Sequence, residues 1–151
     1  MPTKFEKEFI SYCENQDLEV NSNQIAVIKK LEEYHNINFK SFFSKLFSKQ
    51  KSKKGFYLYG GVGVGKTMIL NFFYDHHDRK KLKQHFNEFM LGFHDFVHER
   101  KEKNEENVIN QFVKNLKSKA TLIYFDEFQV TNIVDAMILG KLFDQIFKED
   151  I

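Results

Sequence analysis

The stretch Gly60-Gly61-Val62-Gly63-Val64-Gly65-Lys66-Thr67 matches G-x-x-x-x-G-K-[ST], the pattern of a phosphate-binding loop. Glycines let the backbone turn its N–H groups inward, and the start of the following helix completes an anion site. In such loops the lysine reaches the β- and γ-phosphates, and the threonine hydroxyl binds Mg²⁺. The stretch therefore predicts a site for ATP and Mg²⁺, formed by Gly60, Gly61, Val62, Gly63, Val64, Gly65, Lys66, Thr67 and Met68.

The flanks of this loop support a phosphate site over a ligand-free glycine turn. Residues 56–59, Phe-Tyr-Leu-Tyr, form an aromatic run after Gly55 and predict a buried strand. Residues 68–74 are apolar on most sides and predict a helix packed against a sheet. Strand, loop and helix is the setting in which a phosphate loop works.

A second apolar run, residues 121–125, ends on the adjacent acids Asp126 and Glu127. The run predicts a buried strand that delivers both carboxylates to the sheet edge where a phosphate loop also lies. We expect Asp126 to bind Mg²⁺ through water and Glu127 to orient and deprotonate the attacking water. An apolar strand that ends in Asp-Glu is common in proteins without a nucleotide site. The functional interpretation of Asp126 and Glu127 therefore depends on the phosphate loop that precedes them.

The remaining periodicities predict helices around these strands. Before the loop, residues 23–47 indicate two amphipathic helices broken near residues 36–38, and residues 49–54 form a basic connector. After the loop, residues 76–84 read as a polar loop, and His85 with Phe86 ends a second strand. Helical spacing follows at residues 89–97, 108–116 and 134–146, the last capped by Asn132.

This order predicts an α/β fold of the P-loop NTPase kind, a parallel sheet with flanking helices. The expected division is residues 1–54 as an N-terminal helical segment with its connector, and residues 55–151 as the N-terminal part of the P-loop domain.

Composition excludes several classes of protein. The chain has 151 residues, 42% of them hydrophobic with 18 Phe, which excludes general disorder. A net charge of +2 gives no electrostatic case for nucleic-acid binding. A single cysteine, Cys13, cannot form an internal disulfide, and no stretch reads as a secretory signal or a membrane span. We therefore expect a cytoplasmic protein.

Two weaker patterns are left as alternatives. His94 and His98 stand four residues apart and are candidates for sharing a metal, but the sequence offers no third ligand nearby. The lysine-rich residues 49–54 and 79–83 are typical of solvated connectors, although a DNA partner of the helicase-loader kind would also use them.

Together these motifs resemble the ZapE-type ATPases of bacteria and their mitochondrial AFG-like relatives, within the AAA+ class. The resemblance runs from about Gln24 to the end of the chain and is carried by residues 55–68, 85–86, 88–90, 125–131 and 135–139. It implies ATP hydrolysis with Mg²⁺ by a homo-oligomer. Bacterial members associate with the division-ring protein FtsZ, and mitochondrial members act in protein quality control.

The chain also departs from the pattern of these relatives. Val64 stands where many carry Arg, Asn87 where His is common, and Asn71 and Asn132 where Asp is frequent. None of these changes removes a phosphate or metal ligand.

Relatives continue past the position of Ile151 with a sensor strand, an arginine finger and a helical lid. The only arginines here, Arg79 and Arg100, both precede Glu127. The resemblance therefore implies a C-terminally truncated, incomplete ATPase domain, with a catalytically inactive remnant that only binds nucleotide or a protein partner as the alternative.

Overall fold

The computed structural model describes residues 2–39, 55–100 and 105–151. The chain divides into two compact units, Met1–His76 and His77–Ile151. None of the helices in the described ranges combines the length and hydrophobicity needed to cross a membrane.

The first unit contains three described helices, and each begins in a different way. Helix α1, Lys4–Glu14, is capped by Thr3, whose Oγ1 accepts a hydrogen bond from the Glu6 N–H at 3.2 Å. Helix α2, Ser22–Phe39, follows an Asn-x-x-Gln capping box. Helix α3, Lys66–Asp75, begins directly after Gly65, the last glycine of the loop.

The core of the first unit is aromatic and centres on Phe72 of α3. Its ring lies 5.0 Å from that of Phe5 and 5.1 Å from that of Phe9, both on α1. Ile28 and Leu31 of α2 are also buried. Cys13 is buried with them, and burial raises the pKa of its thiol. Helix α3 is therefore anchored by its apolar residues.

The helix predicted at residues 68–74 is confirmed, but the predicted helix break near residues 36–38 is wrong. Helix α2 continues to Phe39. Within it the Asn38 side-chain amide donates a hydrogen bond to the Tyr34 carbonyl at 3.1 Å, which accommodates an asparagine in a helical turn. The rest of the predicted second helix and the connector at residues 49–54 lie outside the described residues.

The prediction of a buried strand at residues 56–59 is also wrong. This segment has no regular secondary structure, and the side chains of Tyr57 and Tyr59 are 69% and 81% exposed. A β-strand needs a hydrogen-bonded neighbour, whatever its intrinsic propensity. The described residues of the first unit contain no other strand to pair with it.

The second unit is built on two parallel strands, β1 (Lys81–His85) and β2 (Leu122–Asp126). Their register pairs Lys81 with Leu122 and His85 with Asp126. Two helices connect them, α4 (Phe86–Arg100) and α5 (Glu105–Lys119), and α6 (Ile133–Lys148) follows β2. Parallel strands need such a long crossover, since a tight turn can join only antiparallel neighbours.

The core of the second unit packs helices α4, α5 and α6 against the sheet. Its buried members include Phe89 of α4, Val113 of α5 and Leu142 of α6, and Phe125 of β2 packs against them. The Phe89 and Phe125 rings lie 4.7 Å apart in an edge-to-face arrangement. Such pairs stabilise a core beyond the area that they bury.

Most predictions for the second unit are confirmed. Strand β2 and all three helices lie where periodicity indicated, and the two strands are parallel, as the order of elements predicted. The Asn132 side chain accepts a hydrogen bond from the Val134 N–H at 2.8 Å. The polar loop expected at residues 76–84 is wrong in its last part, because β1 begins at Lys81. This strand is rich in lysine and glutamine, and its pairing with β2 decides its conformation.

Candidate functional site

The loop from Gly60 to Gly65 has the backbone that its glycines allow. Gly63 and Gly65 have φ angles of 78° and 84°, in the left-handed region that favours glycine. Gly65 is the N-cap of α3 and carries no side chain to occupy the first N–H groups of that helix. These groups have no acceptor within the helix itself, and the helix dipole favours an anion at this end.

Lys66 lies over the loop that precedes it. Its Nζ donates to the carbonyl of Gly60 at 2.9 Å and to that of Gly61. The ammonium is exposed, so these contacts contribute little to stability. The arrangement holds a cation beside the loop, and a lysine at this position of a phosphate loop contacts the phosphates.

At the end of β2, Asp126 interacts with polar groups of both strands. Its Oδ1 accepts a hydrogen bond from the Glu127 N–H at 3.1 Å, and its Oδ2 lies 3.9 Å from Lys83 Nζ on β1. Burial raises the pKa of Tyr124 to about 12, and the negative charge of Asp126 contributes to the shift. A carboxylate such as that of Asp126 offers the oxygen ligands that a hard cation such as Mg²⁺ prefers.

Glu127 is exposed and has a φ angle of 51°, in the left-handed region. Side chains other than glycine, asparagine and aspartate rarely adopt this conformation, which costs about 1–2 kcal/mol. Backbone strain of this kind concentrates at functional sites. The observation therefore agrees with a functional role for the carboxylate that follows β2.

We expect Glu127→Asn to raise the free energy of unfolding by about 0.5–1 kcal/mol, because asparagine tolerates the left-handed region. Glu127→Gln is the matched control, since it removes the same charge without the same backbone preference. Urea unfolding of the two variants measures the difference. If both variants are equally stable, strain at this position is refuted.

The predicted site residues fall into two sets. Those from Gly60 to Met68 belong to the first unit, and Asp126 and Glu127 belong to the second. The loop is continuous with α3, and the two acids directly follow one another at the end of β2. That both sets meet at one sheet edge stays a prediction.

His94, one of the two histidines considered as metal ligands, contacts a carboxylate on another helix. His94 on α4 lies with its Nε2 2.7 Å from Asp135 Oδ1 in the first turn of α6. Across the described ranges, no group of three or more His, Cys, Asp or Glu side chains is arranged to hold a metal ion. His94 therefore links two helices of the second unit.

Two neighbours of the predicted site were not found from sequence. Gln24 on α2 donates through its Nε2 to the Val64 carbonyl of the loop at 3.3 Å, and Lys83 lies beside Asp126. Asn21 and Gln24 match the capping-box spacing, a signal that locates the start of α2. No sequence signal predicts that the same glutamine contacts the loop, because 40 residues separate it from Val64.

Known proteins match this chain over both units. The model of the AFG1-like ATPase family matches residues 8–151. The chain is 40% identical over 111 residues to lactation elevated protein 1 homolog B of Danio rerio, covering 67% of this chain and 22% of that protein. It is 34% identical over 113 residues to cell division protein ZapE of Escherichia coli K12, covering 71% of this chain and 30% of that protein.

No solved structure matches the chain significantly. It spans between a fifth and a third of the length of these two relatives. The family match covers nearly all of the chain, including the glycine loop, β2 and its two acids. The resemblance seen in the sequence is thereby confirmed, and the chain belongs to the AFG1-like ATPase family.

Proposed function

We propose that this chain is the Mg·ATP-binding part of an AAA+ ATPase. The observation that supports it best is the loop itself, whose left-handed Gly63 and Gly65 lead into the uncapped start of α3. Lys66 follows immediately and places a cation beside the loop. In this proposal residues 60–68 bind the phosphates of ATP, and Lys66 contacts the β- and γ-phosphates.

The chemistry of the two predicted ligands suits a magnesium ion. In this proposal Thr67 would contribute a hydroxyl and Asp126 a carboxylate, and both offer the oxygen ligands that Mg²⁺ prefers. The bound ion would neutralise charge on the phosphates during transfer. Glu127 is proposed as the base that takes a proton from the attacking water.

The alternative is a chain that binds nucleotide or a protein partner without turnover. An arginine finger contributes about 10³–10⁵ to such reactions, so ATP binding and ATP turnover are separate outcomes. A homo-oligomer, in which neighbouring copies contribute to hydrolysis, belongs to the first proposal. An FtsZ partner rests on the family resemblance, and the Escherichia coli relative is named a cell division protein. A cytoplasmic location stays an expectation from the sequence.

Calorimetric titration with ATP, in Mg²⁺ and in excess chelator, tests the binding proposal. We expect saturable binding that tightens with Mg²⁺ and raises the melting temperature, because a ligand of the native state stabilises it. A cooperatively folded chain that binds no ATP would refute the proposal. Phosphate release from ATP then separates an active enzyme from a chain that only binds. Salt-dependent binding of single-stranded DNA would instead support a nucleic-acid partner.

A further inference from the structure

We propose that Gln24 is a positioning residue for the phosphate loop, holding its backbone through one side-chain amide. The inference rests on the proposed function and extends it, because Gln24 lies on α2, outside the loop motif. Gln24 is 8% exposed, although glutamine is usually a surface residue. A buried amide needs hydrogen-bond partners, and those of Gln24 point to its role.

The two ends of the Gln24 amide have different partners. Its Oε1 accepts from the Asn21 N–H at 3.1 Å, and its Nε2 donates to the Val64 carbonyl at 3.3 Å. These two partners fix the orientation of the amide, because the oxygen of an amide accepts and its NH₂ group donates. The amide therefore joins the start of α2 to the loop.

The Gln24 amide also lies close to Gly65, the last glycine of the loop. A Cβ added to Gly65 would lie 2.8 Å from Gln24 Nε2, which is nearer than real Cβ atoms come to such groups. Gly65 also has a φ angle of 84° and is the N-cap of α3. Glycine at this position thus serves both the turn and the approach of Gln24.

The helix that carries Gln24 is itself well anchored. The Gln24 N–H donates to Asn21 Oδ1 at 3.0 Å, which completes a reciprocal capping box. One turn further along α2, Ile28 is fully buried in the core of the first unit. Gln24 therefore connects the glycine loop to a rigid support, and glycine loops need such support because of their conformational freedom.

The test compares Gln24→Met with Asn21→Ala in the full chain. Methionine keeps the length and helix propensity of glutamine but cannot donate to the Val64 carbonyl. Asn21→Ala removes one bond of the same capping box and leaves the Gln24 amide able to reach the loop. Both variants weaken the start of α2, so they are matched for loss of the cap.

Two measurements are made on each variant. Amide hydrogen exchange in the nucleotide-free chain should quicken at residues 62–66 in Gln24→Met and stay as in the wild type in Asn21→Ala. Mg·ATP affinity should fall by about tenfold in Gln24→Met, the effect of losing one partly buried hydrogen bond that orders the loop, and by less than about twofold in Asn21→Ala.

Equal loop exchange in the wild type and Gln24→Met would overturn the inference, and so would equal quickening in both variants. If the wild type binds Mg·ATP, equal affinity losses in the two variants would also overturn it. If the wild type binds no Mg·ATP, the proposed function fails, and loop exchange alone decides whether Gln24 positions the loop.

Discussion

Replacing Lys66 by alanine is expected to weaken Mg·ATP binding by about a hundredfold, which corresponds to about 3 kcal/mol. The reason is the loss of a charge-assisted hydrogen bond to the phosphates, the strongest class of single hydrogen bond in proteins. Without nucleotide, the contacts that the structure describes for the Lys66 ammonium are two exposed hydrogen bonds to loop carbonyls, and exposed contacts contribute little to stability. The melting temperature without nucleotide should therefore change little.

Lys30→Ala is the matched control for Lys66→Ala. Lys30 is an exposed lysine on α2 in the same unit, so its removal changes the net charge equally. Calorimetry should find its affinity for Mg·ATP within about twofold of the wild type, since Lys30 lies outside the phosphate-loop motif and an exposed charge is screened by salt. Retained affinity in Lys66→Ala would remove the basis for the phosphate-loop assignment.

Glu127→Gln is expected to lower phosphate release from ATP by about 10²–10³-fold while Mg·ATP affinity stays within a few-fold of the wild type. Glutamine keeps the shape of the side chain but cannot take the proton of the attacking water, and general-base catalysis contributes about 10²–10⁴ to such rates. Single-turnover phosphate release, measured beside calorimetric binding, separates the chemical step from affinity.

The control for this loss is Asp144→Asn. Asp144 is exposed on α6 in the same unit as Glu127, so the variant removes one negative charge and leaves Asp126 and Glu127 intact. It should release phosphate at the wild-type rate. Equal rates in the wild type and Glu127→Gln would show that Glu127 is not the base. A wild-type chain with ATP affinity but no turnover would favour the binding-only alternative.

Local patterns were sufficient where several of them agreed. The helix after the glycine loop was predicted because an apolar run follows Gly65, and α3 begins at Lys66. Strand β2 was predicted from residues 121–125, of which four are apolar or aromatic, and α6 from its spacing and its Asn132 cap. Each of these elements is specified by its own residues and by those directly beside it in the chain.

Local patterns failed where pairing decided the conformation. Residues 56–59 are strongly strand-forming in composition yet form no strand, whereas Lys81–His85 is polar and forms β1. Strand propensity describes how a side chain fits a sheet and does not supply the neighbouring strand. The pairing partner of β1 lies about 40 residues later in the chain, beyond the reach of any local pattern.

The sequence by itself determined the family, the glycine loop, the acids that end β2 and the helices around them. Each of these features is specified by a motif or a periodicity of residues that are close together in the chain. Only the tertiary structure decided which strand pairs with β2, that Glu127 has a left-handed backbone, and that Gln24 reaches the loop. These features depend on hydrogen bonds and packing between residues far apart in the chain. Such contacts form only when the chain folds.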